Sequence, residues 1–77
     1  MSEYRTQEPE MTALEARTHL VQLETERALA QTTELAGVRA YMADLEEEIE
    51  ETRRAYTLAA VLEIASLRAE LFGEQVG

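Results

Sequence analysis

Apolar residues recur every seven positions through most of this chain: Leu14, Val21, Ala28, Leu35, Met42, Ile49 and Tyr56. Seven residues are close to two helical turns, so side chains at this spacing share one stripe of an α-helix. Val38 and Leu45 fill the intervening positions in the second half. The predicted helix-pairing seam is therefore Leu14, Val21, Ala28, Leu35, Val38, Met42, Leu45, Ile49 and Tyr56.

In the first half this seam is thin. It is flanked on one side by Thr18, Thr25 and Thr32 and on the other by Arg17, Glu24 and Gln31. Parallel, in-register pairing of two such helices would set Arg17 against Arg17 and Glu24 against Glu24, which is unfavourable beside a core. Antiparallel pairing of the first half with the second removes the clash. It brings Glu24 and Glu26 near Arg53 and Arg54, Arg27 near Glu50 and Glu51, and Arg17 near Glu63.

The last stretch differs in kind. At about 100° per residue, Tyr56, Ala60, Ile64, Leu67 and Leu71 fall on one face, and Leu58, Val61, Leu62, Ala65, Ala69 and Phe72 fall on another. One neighbouring helix cannot cover both. The second set is accordingly predicted to be an oligomer or partner interface.

Local signals set the expected boundaries. Residues 1–8 are polar and aperiodic and read as a flexible arm. Pro9 suits the first turn of a helix, and Thr12 with Glu15 has the spacing of a capping box. Residues 9–73 form the helical domain and residues 74–77 a short tail. Nothing between Thr12 and Ala36 is a strong helix breaker. Gly37 is the only glycine before position 73, which makes it the expected hinge. Asp44 with Glu47 offers a second helix start.

The expected fold is all-α: an antiparallel helical hairpin or coiled coil, assembled into a four-helix bundle. The alternative is one continuous helix through Gly37, paired with a second copy as a long antiparallel dimer. The preserved phase of Leu35, Val38, Met42, Leu45 and Ile49 across Gly37 keeps that alternative open.

Charge narrows the function. Sixteen acidic residues oppose seven arginines, for a net charge of -9. Such a chain repels nucleic acid and anionic membranes and attracts basic partners. The block Glu46, Glu47, Glu48, Glu50, Glu51 is the densest carboxylate cluster and a candidate acidic docking surface. Arginine as the sole basic residue, with twelve alanines, fits a GC-rich genome such as an actinobacterial one or its phages. The N-terminus lacks a basic segment leading into an apolar run, and no stretch approaches the roughly 20 apolar residues of a membrane span. A cytoplasmic protein is the default expectation.

Candidate chemistry is sparse. There is no cysteine, and the single histidine, His19, stands four residues after Glu15 rather than at the Glu-x-x-His spacing of di-iron bundles. No catalytic, cofactor-binding or metal site is expected, and no cofactor. The predicted function is that of a non-enzymatic, oligomerising structural or adaptor protein acting through helix–helix contact. Its partners would be itself or a larger protein with a basic or apolar helical docking surface. The alternative is a small acidic inhibitor that occupies a nucleic-acid-binding surface of a partner protein.

Overall fold

The computed structural model describes residues 11–73, so the expected arm, Pro9 and the tail lie outside the described residues. Two α-helices pack antiparallel as a hairpin: α1 is Ala13–Ala30 and α2 is Arg39–Phe72. A short 3-10 helix, Glu34–Gly37, lies between them. The continuous helix through Gly37 is not formed.

α1 begins where the capping box places it. The Thr12 hydroxyl accepts from the Glu15 N–H at 3.1 Å, and Glu15 Oε1 accepts from the Thr12 N–H at 3.1 Å. Two of the amide donors that a helix start leaves unsatisfied are thereby paired. A third is satisfied from the other helix: the Ala13 N–H donates to Glu63 Oε2 at 2.8 Å. A carboxylate at this end also opposes the positive pole of the helix dipole.

The turn is not made where glycine pointed. α1 ends at Ala30, seven residues before Gly37, and the residues that end it are threonines. The Thr32 and Thr33 hydroxyls donate back to the Leu29 and Ala30 carbonyls at 2.7 and 2.9 Å. Their N–H groups bond the same two carbonyls at 3.0 Å, which tightens the last turn. Thr33 Oγ1 also accepts from the Leu35 N–H at 3.1 Å and so starts the 3-10 helix. Side chains that offer the backbone such local bonds compete with helix propagation. Gly37 merely closes the 3-10 helix, and no glycine among the described residues has a positive φ. α2 then starts at Arg39, ahead of the Asp44 start, with Val38 as its N-cap.

The hairpin core is small. Leu23 of α1 packs with Leu45 and Ile49 of α2, flanked by Leu20 and Tyr41. Ala16, Ala30 and Thr52 are also buried. No buried side-chain nitrogen or oxygen among the described residues lacks a hydrogen-bond partner.

Candidate interaction surface

The seam expected from the sequence divides between the two helices. On α2, Leu45 and Ile49 are buried, Met42 and Tyr56 are half-buried, and Val38 at the helix start is exposed. On α1 the pairing face is Ala16, Leu20, Leu23 and Ala30, whereas Leu14, Val21 and Ala28 point away and are exposed. Leu14 is 69% exposed, and Leu35 in the turn is exposed too.

Both stripes of α1 repeat by seven, so spacing alone does not choose between them. Their borders do. The inward face is edged by His19, Glu24, Glu26 and Arg27, and each finds a polar partner on α2. Arg27 Nη1 pairs with Glu46 at 3.1 Å, and Arg53 Nη2 pairs with Glu24 at 3.2 Å. The Tyr41 hydroxyl donates to Glu26 at 2.6 Å, and His19 Nε2 lies 3.3 Å from Glu48 Oε2. The outward stripe is edged on one side by Thr18, Thr25 and Thr32, which have no charge to offer α2, and shares Glu24 with the inward face on the other.

The Glu24–Arg53 pair is the one expected from the sequence. Arg27 meets Glu46, about one turn nearer the loop than the expected Glu50 and Glu51. Glu26 meets a tyrosine rather than an arginine. Glu63 reaches the Ala13 amide, not Arg17. Each exposed pair contributes little on its own, about 0–1 kcal/mol. Together they select which face of α1 turns inward.

The carboxylate block does not form one surface. Glu46, Glu48 and Glu50 sit beside Arg27, His19 and Arg53, with Arg53 Nη1 donating to Glu50 at 2.8 Å. Glu47 and Glu51 lie on the opposite side of α2, away from α1, and form no ion pair among the described residues. The Glu15 and His19 pair is also divided, because Glu15 caps its own helix while His19 faces Glu48. Among the described residues no group of three or more His, Cys, Asp or Glu is placed to hold a metal ion.

What remains is apolar. α2 has 34 residues, about 51 Å at 1.5 Å per residue, whereas α1 has 18, about 27 Å. α1 starts opposite Glu63, so α2 runs on past it. Every residue from Val61 to Gly73 is exposed. Leu58, Val61, Leu62, Ile64, Leu67, Leu71 and Phe72 are each 54–60% exposed. Leu58 and Val61, with Arg53, Arg54 and Thr57, line an open hollow of about 390 Å³ on the surface of α2. Ala65 and Ala69 are likewise exposed, so the whole predicted interface set, Leu58, Val61, Leu62, Ala65, Ala69 and Phe72, faces outward.

No family model, curated protein or solved structure matches the chain. Among the described residues no helix is long and apolar enough to cross a membrane.

Proposed function

We propose that this chain is a helical assembly module, an oligomerising structural or adaptor protein that acts by helix–helix contact. The observation that carries this reading is the end of α2. It presents seven large apolar side chains, each more than half exposed: Leu58, Val61 and Leu62 on the side of α2 turned away from α1, and Ile64, Leu67, Leu71 and Phe72 beyond the start of α1 opposite Glu63. A patch of this kind on a small chain marks an interaction surface. Among the described residues the hairpin core has three large side chains, Leu23, Leu45 and Ile49, so association would add burial to a small core.

The acidic-inhibitor reading draws less support. A mimic of nucleic acid needs carboxylates along one extended face, and three of the five in the Glu46 to Glu51 block are turned to neighbours within the chain.

Light scattering at micromolar concentration tests the assembly reading. The expected result is at least a dimer, lost in Leu58→Glu, with assembly of the Glu47→Gln, Glu51→Gln variant intact or slightly stronger as like-charge repulsion falls. A fully helical monomer at all accessible concentrations overturns it.

A further inference from the structure

The geometry points to an antiparallel homodimer in which residues 55–72 of α2 lie against the same segment of a second copy, with the two-fold axis passing between Glu63 and Ile64. This inference rests on the assembly reading and specifies its partner, face and register.

The outer face of α2 has its own heptad spacing. Ala55, Leu58, Leu62, Ala65, Ala69 and Phe72 follow one another at intervals of 3, 4, 3, 4 and 3. This stripe lies on the side of the helix away from Leu45 and Ile49, with Leu58, Leu62, Ala65, Ala69 and Phe72 exposed and Ala55 half-buried at its edge. Closer to the loop the same side carries Asp44, Glu47 and Glu51. The uncharged stretch thus begins only after Arg54.

Antiparallel pairing about the stated axis sets Ala55 against Phe72, Leu58 against Ala69 and Leu62 against Ala65, each layer occurring twice. Every layer combines one large residue with one alanine, which suits close interlocking of two helices. The flanking pairs are Val61 with Arg68 and Ala59 with Ser66, so no like charges meet. The Arg68 stem can lie over Val61 while its charged end stays in water.

Neighbouring registers lose this match. A shift of one heptad one way brings Glu51 onto Ala69. A shift the other way sets Leu62 against Phe72 and Ala65 against Ala69, crowding one layer and emptying the next. Parallel pairing sets Leu58 on Leu58 and Phe72 on Phe72. It also places the two acidic blocks side by side at about the 8–10 Å separation of packed helices.

Charge favours the antiparallel form for the same reason. Glu51 of one copy then lies about 40 Å along the axis from Glu51 of the other, several times the screening length of about 10 Å at 0.1 M salt. The overlap is about 27 Å long and one seam wide. It belongs with small interfaces, below about 1,200 Å² in total, for which micromolar dissociation is expected.

Because the chain has no cysteine, a single spin label at Glu47→Cys reports the orientation. Pulsed dipolar spectroscopy on the full chain should give a separation of about 50 Å between labels. Leu62→Glu should raise the dissociation constant at least about a hundredfold, with hairpin helicity retained by circular dichroism. Leu62→Ala and Ala65→Leu should each weaken the dimer, and the double variant should recover most of the loss, because it restores a large–small layer only in this register. A dimer with labels closer than about 25 Å overturns the antiparallel arrangement and leaves the assembly reading standing. So does a dimer that survives Leu62→Glu but is lost in Leu67→Glu, since the contact would then use the other face. A helical monomer overturns both.

Discussion

Residues 39–60 and residues 61–72 belong to one unbroken helix and the second part is the more apolar, yet the first contains the whole α2 share of the core and the second contains none. The apolar phase does not change between them. Leu45, Ile49 and Tyr56 continue as Ala60, Ile64, Leu67 and Leu71 on the same side. Cover is the difference, because α1 starts opposite Glu63. Burial is thus a property of what lies across from a residue, and an amphipathic pattern identifies a face that can be covered without saying how far its cover extends.

The sharpest test compares equivalent truncations in the two parts. Ile49 is fully buried, and Ile49→Ala should cost about 2–5 kcal/mol, enough to unfold a hairpin with so small a core. Leu67→Ala, on the same face past the end of α1, should change hairpin stability by no more than about 0.5 kcal/mol. Urea unfolding followed by circular dichroism, at concentrations below self-association, measures both. Equal costs would mean that Leu67 is covered already within one chain.

Gly37 probes whether the covered part depends on a special turn. It has no positive φ, and a Cβ built on it meets nothing within 4 Å. Gly37→Ala should therefore be accepted in place and stabilise the hairpin by about 0.4–1 kcal/mol through the unfolded chain, without change of mass. A longer helix with doubled mass would instead make Gly37 the hinge and turn the hairpin into a swapped dimer.

The smallest effect is read at Tyr41, at the loop end of the covered part. The Tyr41 hydroxyl donates to Glu26, and that bond, with slight desolvation and the nearby negative charge, raises its pKa above the ordinary 10.0. The bond favours the protonated phenol in the folded state. Its contribution is fully present below the unfolded pKa and is lost as pH rises through the raised folded value. In a background of Tyr4→Phe and Tyr56→Phe, near-ultraviolet absorbance should show Tyr41 ionising later than a free phenol. Glu26→Gln should bring the titration down. A Tyr41 that titrates normally in the intact hairpin would mean that the helices are not joined at this end.

Much of the architecture was legible in the residues. Thr12 and Glu15 announce the start of α1, the Glu24–Arg53 pair follows from antiparallel charge matching, and the Leu45 and Ile49 stripe marks the covered face of α2. The turn was not legible in the same way. Gly37 carries the stronger intrinsic signal, but a helix interior tolerates one glycine at a cost of about 1 kcal/mol. Paired threonine hydroxyls at 32 and 33 can end a helix earlier when packing rewards the reversal. Period alone does not choose the inward face of α1, since Leu14, Val21 and Ala28 and the buried Ala16, Leu23 and Ala30 have the same seven-residue spacing.

The sequence by itself determined that the chain is helical, that its halves attract antiparallel rather than parallel, and that its last third has apolar residues on two faces. These follow from local propensity, periodicity and the signs of charges, which the order of residues contains in full. Only the tertiary structure decided where the chain reverses, which of two equivalent stripes of α1 turns inward, and how much of α2 is left bare. Those choices depend on contacts between residues far apart in the chain. His19, Glu24, Glu26 and Arg27 reach their partners across the hairpin, and the Ala13 amide reaches Glu63. Their combined preference, rather than any single signal along the chain, sets the register and leaves the end of α2 uncovered.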